Sequence, residues 1–327
     1  MSSKQRIHIL GATGFIGKNL VLHFAQKQNC EVIGIHHSQP NYEVPNVKWI
    51  RADLTRSEDC LRAISGADVV IQAAATTSGV SDTLSRPYVH VTDNAVMNSL
   101  ALRAAHDCNV KHFVYFSCTV MYASSEVPAK EKDFHPEKEM APAYFGSGWT
   151  KVYIEKQCEF YSRIGRTKFS VIRHSNIFGP HDKFDLQKGH VCAATIEKTM
   201  SSKNGKVEVW GTGQEARDLL YVDDLMEAVE LCIESQGSQF EIFNVGSGVA
   251  TEIRSLVEAI IEESGKPLEI CYNVDKPSIP TRLCVDYSKI TAQLGWLPRH
   301  TLREGLRKTL RWYKLQKANA AQLIANH

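Results

Sequence analysis

Apolar residues in this chain follow two rhythms that take turns. Ile7-His8-Ile9-Leu10 is a short apolar run near the start, and Leu20, Val21, Phe24 and Ala25 then recur at helical spacing. Residues 31–35 and 47–50 read as further strands, the second ending near Asp53, and 68–74 and 112–117 read as a fourth and a fifth. Between the last two, Val96, Leu100, Ala104 and Cys108 repeat every four residues, which predicts a helix. Short apolar strands alternating with amphipathic helices predict a doubly wound parallel α/β sheet whose ligands sit at the carboxyl ends of its strands.

The first strand leads into Gly11-Ala12-Thr13-Gly14-Phe15-Ile16-Gly17, and the helical pattern follows at once. Strand, glycine turn and helix start in that order form a cradle for a pyrophosphate. The first glycine allows the sharp turn, the second lets backbone approach phosphate, and the third lets helix and strand pack closely. Gly11, Gly14 and Gly17 are therefore candidate cofactor residues with Thr13, and Phe15 and Ile16 would offer backbone N–H groups. The expected fold is of the Rossmann kind.

Residues 123–142, rich in charge and proline, predict a loop; a long helix is expected over about 149–163 and a strand over 169–173. After Gly179-Pro180 the alternation loosens. Residues 181–189 have turn character, 207–210 read as a short strand and Gly211-Thr212-Gly213 as a turn. The division expected is a dinucleotide-binding domain over 1–173, rejoined by a segment of about 214–240, with a smaller C-terminal substrate lobe drawn mainly from 174–327. From Thr301 the tail reads as a charged amphipathic helix.

Lysine and arginine total 38 against 36 acidic residues, a net charge of +2, so no basic field exists to attract nucleic acid. The first residues lack an apolar signal core and no apolar run is long enough to span a bilayer, so no membrane partner is expected. Nine cysteines stand singly, without a Cys-x-x-Cys pair, which suits a reducing compartment and argues against a disulfide framework or structural zinc. A cytoplasmic protein without a metal is the expectation.

Several further segments carry a family resemblance: Arg51-Ala52-Asp53-Leu54, Arg173-His174-Ser175-Asn176-Ile177-Phe178-Gly179-Pro180, Arg217-Asp218-Leu219-Leu220-Tyr221-Val222-Asp223-Asp224, Phe243-Asn244-Val245-Gly246 and Leu294-Gly295-Trp296-Leu297-Pro298. With the glycine turn, they make nearly the whole chain resemble the extended short-chain dehydrogenase/reductases (the NAD-dependent epimerase/dehydratase family) that act on nucleotide sugars. Gly179-Pro180-His181-Asp182-Lys183-Phe184, followed by His190-Val191, and Lys151 with Lys156, Cys158, Glu159 and Tyr161 behind it, look most like the GDP-L-fucose synthase branch. The glycine turn is more like the general epimerase/dehydratase form. That branch implies epimerisation of a GDP-4-keto-6-deoxyhexose followed by reduction with NADPH. The wider family implies a 4,6-dehydratase or 4-epimerase with bound NAD as the alternative.

The resemblance implies that Asp53 and Leu54 flank the adenine, and that Ala73, Ala74 and Ala75 line the floor beneath ribose and nicotinamide. An acid at the end of the second strand would bind both ribose hydroxyls and repel a 2′-phosphate. This chain has His36-His37-Ser38 there, which leans toward NADP, with NAD possible. Paired histidines without further ligands at suitable spacing read as a surface pair, not a metal site.

The catalytic pattern breaks. The family carries a tyrosine four residues before its lysine, on one helix face, where the ammonium draws the phenol toward its working range. Lys151 is present, and Ser147 stands where the tyrosine belongs. The hydroxyl position near the end of the fifth strand holds Cys118, between Ser117 and Thr119. Three explanations stand open: a tyrosine replaced to trap a complex, a natural variant using Tyr144, Cys118 or His181 as its acid, or a protein that binds a nucleotide sugar without turning it over. In the fucose synthases a cysteine and a histidine exchange protons beside the ketone, which suits groups that titrate near neutrality. His181 is taken as that histidine. The family's cysteine aligns with Val120, but Cys118 lies two residues away on the same strand face. The candidate catalytic set is Cys118, Thr119, Ser147, Lys151 and His181.

On the substrate side the resemblance implies that Asn176 orients the sugar or the diphosphate and that Arg217 bonds the diphosphate, whose oxygens its planar fork matches. Val209 would run beside the base, and Lys183 and Arg282 are further phosphate candidates. The implied setting is deoxy-sugar and polysaccharide biosynthesis, and the implied assembly is a homodimer through the helices near 96–108 and 149–163.

Overall fold

Seven parallel strands form the main sheet of the computed structural model, which describes residues 4–39, 41–77, 84–138, 140–186 and 189–325. The first half runs β1 (Gln5–Leu10), α1 (Phe15–Ala25), β2 (Cys30–His36), β3 (Val47–Arg51), α2 (Ser57–Ile64), β4 (Val69–Gln72), α3 (Thr92–Asp107), β5 (His112–Cys118), α4 (Phe145–Ile164) and β6 (Lys168–His174). There follow β7 (Asn176–Phe178), α5 (Val191–Ser201), β8 (Lys206–Trp210), β9 (Ala216–Tyr221), α6 (Val222–Ser235), β10 (Phe240–Val245), β11 (Ala250–Glu252), α7 (Ile253–Ser264), β12 (Glu269–Asn273), β13 (Arg282–Leu283), α8 (Ser288–Leu294) and α9 (Leu302–Ala325).

Across the main sheet the order is β10-β6-β5-β4-β1-β2-β3. From β1 the chain builds outward through β2 and β3, then crosses back to place β4 on the other side of β1. That reversal opens a crevice at the carboxyl ends of β1 and β4, where doubly wound sheets bind ligands. Side-chain alternation builds the two covering layers. Ile7 and Ile9 face a core shared with Leu20, Val21 and Phe24 of α1 and Leu225 and Val229 of α6. Leu10 faces the opposite core, with Ala63 of α2, Ala101 of α3 and Ile154 of α4. Each such fully buried aliphatic contributes about 1.5–3 kcal/mol.

Three boundaries depart from the sequence reading. β4 ends at Gln72 rather than 74, because its side chain takes the Ala74 N–H (3.1 Å) and donates to Asn98 (3.0 Å), turning the backbone out of the ladder. α4 begins at Phe145, a full turn before 149, although Gly146 and Gly148 are poor helix formers. Both glycines are packing positions: a Cβ on Gly146 would lie 2.8 Å from Val91, and one on Gly148 would lie 2.5 Å from the Met140 sulfur. Of the segment about 214–240 expected at the main sheet, only α6 packs there. β9 belongs to a second sheet, paired with β7, β11 and β13, and the strand that rejoins the main sheet is β10. β8 and β12 form a separate parallel pair. The turn expected over 181–189 includes 187 and 188, which lie outside the described residues.

Candidate active site

The glycine turn needs its glycines where the sequence puts them. Gly11 has φ +73°, and a Cβ there would fall 2.5 Å from the Ala74 Cα. A Cβ on Gly17 would run into the Gly11 carbonyl. Gly14 is the N-cap of α1 and has no side chain to cap it, so the first N–H groups of the helix stay available to an anion. Gly14, Phe15 and Ile16 line one end of a cleft of about 520 Å³ that continues along Ala73–Ala75, Cys118 and His174. This cradle fits the diphosphate of a dinucleotide. When bound, such a cofactor would exchange hydride with a substrate; Gly14–Ile16 and Ala73–Ala75 are the residues placed to hold it.

Gly11, Thr13 and Gly17 shape the turn without lining the cleft. Tyr42 braces it from outside, its hydroxyl donating to the Ala12 carbonyl at 3.3 Å, with the Lys18 ammonium 4.3 Å from the ring centroid. Asn19 donates both to Phe15 O (2.9 Å) and to Pro180 O (3.0 Å), tying the cradle to the substrate side. His36, Asp53 and Leu54 lie outside the cleft-lining set. His36 bonds back to Gln39 O at 3.0 Å, and Leu54 is buried in the core. Hydrogen bonds from Thr55 hold the Asp53 carboxyl below its ordinary value, with His37 4.0 Å away.

At the end of β5, Cys118, Thr119, Ser147 and Lys151 all line the cleft. The Lys151 ammonium donates to Phe116 O at 2.7 Å and lies 5.0 Å from the Tyr115 ring centroid. Burial pushes its pKa below the ordinary value, opposed by Cys118 and Glu155. Burial pushes the Cys118 thiol up, and the Lys151 charge pulls it back. Ser147 is spent locally, donating to Tyr144 O at 3.3 Å.

Behind this pair runs a buried network that sequence reading missed. Glu155, one turn beyond Lys151, accepts from Ser117 Oγ (2.5 Å) and, through two oxygens, from Arg173 at 2.9 and 2.6 Å. Arg173 also donates to the Tyr122 hydroxyl (2.8 Å), which donates to Asn244 (2.7 Å). Burial works against the Arg173 charge, but the Glu155 hydrogen bonds and charge overcome it and hold its pKa above the ordinary value. The network locks α4, β5, β6 and β10 together under Cys118 and Lys151.

The histidines correct one expectation. His181 does not line the cleft. It takes a left-handed turn (φ +70°) and packs its ring on Trp312 of α9, with centroids 4.8 Å apart. Burial lowers its pKa to about 4, so it is neutral. The cleft is lined instead by His174 and His190. His174 donates from Nδ1 to Ser175 O (2.7 Å), and burial pushes it down to about 4. His190, the N-cap of α5, places Nδ1 3.8 Å from Asp182, a carboxylate only 2% exposed whose Oδ2 has no hydrogen-bond partner among the described residues. The available sequence signal was its place directly before an apolar helical run.

On the substrate side, Asn176, Lys183, Val209 and Arg217 line the cleft, and Arg282 does not. Arg282 is turned to Glu126 at 2.8 Å. Arg217 donates to three carbonyls, Ala216 (2.9 Å), Thr281 (2.5 Å) and Ile279 (2.9 Å), so it is fixed in place, and it forms no ion pair among the described residues. Farther along lie Trp210 and Glu208. Glu208 accepts from Asn273 (2.6 Å) and the Trp210 indole (3.2 Å), and Lys198 stands 5.0 Å from the indole centroid. Among the described residues, no group of three or more His, Cys, Asp or Glu is placed to hold a metal, and no helix is long and apolar enough to cross a membrane.

A parallel sheet with this strand order, a glycine cradle at its crossover point and a cleft running from it to the smaller sheets define a nucleotide-binding enzyme of the Rossmann class. Within it the chain belongs to the NAD-dependent epimerase/dehydratase family, whose sequence model matches residues 7–246. It is 28% identical over 320 residues to GDP-L-fucose synthase 1 of Arabidopsis thaliana, covering 96% of this chain and 94% of that protein. To the GDP-L-fucose synthase of Escherichia coli it is 26% identical, covering 95% and 97%. In three dimensions it superposes on the UDP-glucose 4-epimerase of Thermotoga maritima with a TM-score of 0.84 and 24% identity, covering 95% and 99%.

Proposed function

We propose that this enzyme epimerises a nucleotide-linked 4-keto sugar beside its ketone, reduces the ketone, or does both, with a nicotinamide dinucleotide. The observation that carries this reading is the meeting in one cleft of the phosphate cradle, Arg217 and two proton-handling groups, Cys118 beside Lys151 and His190 beside Asp182. A ketone acidifies the neighbouring C–H bonds, and a thiol and an imidazole on a carbon skeleton can take and return such protons. His190 takes the part expected of His181, which packs against α9. NADP is the proposed cofactor, because His36 and His37 put no carboxylate at the end of β2 to repel a 2′-phosphate.

The proposed base is guanine. A carboxylate such as Glu208, beside the flat Trp210, can accept from two adjacent N–H donors on a guanine edge, whereas uracil and thymine offer one such donor flanked by carbonyls. The twin relatives named for GDP-L-fucose synthesis agree. A homodimer is proposed through α3 and α4, whose outer face exposes Tyr153, Phe160 and Ile164.

Incubation with a GDP-4-keto-6-deoxyhexose in deuterated solvent tests the reading. Deuterium should enter the carbons beside the ketone, at least about 100-fold more slowly in Cys118→Ala and His190→Asn and unchanged in His181→Asn. Undiminished exchange in both of the first variants overturns it. The spent hydroxyl of Ser147 favours a second reading, binding without turnover; ketone-dependent NADPH consumption by the unaltered protein excludes that.

A further inference from the structure

We propose that Tyr144 is the proton donor to the substrate's ketone oxygen, replacing the tyrosine that Ser147 has displaced; this rests on the keto-sugar reading above. Tyr144 closes the short 3₁₀ turn Pro142–Tyr144, and α4 starts at the next residue. It is therefore about one helical turn before Ser147, and the two are joined where the Ser147 hydroxyl donates to the Tyr144 carbonyl. A serine at 147 is shorter than a tyrosine there would be, and its hydroxyl is already bonded. A tyrosine one turn earlier has the reach to cover that turn of about 5.4 Å. Its ring lines the same cleft as Cys118, Ser147 and Lys151.

The surroundings of the phenol fit the task. Arg217 and Cys118 line the same cleft, and the Arg217 charge and the Cys118 thiol both act on the phenol electrostatically. Arg217 is held by three backbone carbonyls, so its full charge is kept beside the phenol in a fixed place. Burial raises the Tyr144 pKa and Arg217 opposes the rise, which keeps the hydroxyl protonated and ready to donate.

The step balances with a reduced nicotinamide dinucleotide as the reductant. Hydride adds to the carbonyl carbon, the C=O π pair moves onto oxygen, and that oxygen takes the Tyr144 proton as the alcohol forms. The phenolate left behind is stabilised by Arg217 and regains a proton from solvent.

NADPH oxidation should be followed with GDP-, UDP- and dTDP-4-keto-6-deoxyhexose, using the unaltered protein, Tyr144→Phe and the double variant Tyr144→Phe/Ser147→Tyr. Expected is a kcat loss of at least about 100-fold for Tyr144→Phe with KM changed less than about threefold, and at least about tenfold recovery in the double variant. Nitration of tyrosines by tetranitromethane, mapped by mass spectrometry, gives a readout independent of turnover. The keto-sugar nucleotide should shield Tyr144 and GDP alone should shield it less. GDP calorimetry on Tyr144→Phe should match the unaltered protein, showing that the variant is folded. An active unaltered protein whose Tyr144→Phe variant keeps its kcat overturns the assignment of Tyr144 alone. An unaltered protein that consumes no NADPH with any of the three overturns the keto-sugar reading and this proposal together.

Discussion

At Gly17 there is no room for even a methyl group, since it would meet the Gly11 carbonyl that turns the chain under the phosphate cradle. Gly17→Ala should therefore cost about 1–3 kcal/mol and abolish binding of the nicotinamide dinucleotide by calorimetry. The glycines were legible in the sequence because their job is local. Glu155 was not legible, because nothing local marks it as the partner of an arginine 18 residues away on another element. Removing one member of that buried pair strands the other charge. Arg173→Met should cost about 3–5 kcal/mol in denaturant unfolding, more than Glu155→Gln/Arg173→Met, which leaves no unpaired charge behind.

Single elements show where periodicity succeeds and where contacts overrule it. β1, β5 and β6 were readable because a strand buried on both faces is apolar throughout, whatever surrounds it. The start of α4 was not, because its glycines argue against a helix until Val91 and Met140 are seen to press on them. The same sheet carries an acid sensitivity. His112 at the start of β5 bonds Ser170 at 2.7 Å, and burial lowers its pKa to about 4; burial likewise lowers His8 in β1. An unfolded histidine titrates near 6.5, so below that pH the unfolded chain binds protons that the native one refuses. The stabilisation from a neutral His112 is complete above about 6.5 and is lost progressively toward about 4. Melting temperature should fall through this window, and His112→Gln should flatten part of the fall.

For the molecule as a whole, the first unit could be read almost strand by strand, while the second could be placed only in outline. The smaller lobe is assembled from two- to six-residue strands contributed by four separate stretches, and short pairs of that kind have no period of their own. Its functional residues were found where a motif named them, as with Asn176 and Arg217. His190 was overlooked in favour of His181, a neighbour in the same motif whose backbone turn faces its ring away. At this scale the proposed dimer is testable by sedimentation. Phe160→Glu on the exposed face of α4 should yield a monomer of about half the mass with an unchanged circular dichroism spectrum.

The amide of Asn19 clasps Phe15 and Pro180 at once, so one carboxamide joins the start of α1 to the turn that follows β7. Whatever stiffens the start of α1 is then felt by the sugar-side turn. Occupancy of the first compartment should raise affinity in the second and the second in the first by the same factor, and Asn19→Ala should make the two ligands indifferent to one another.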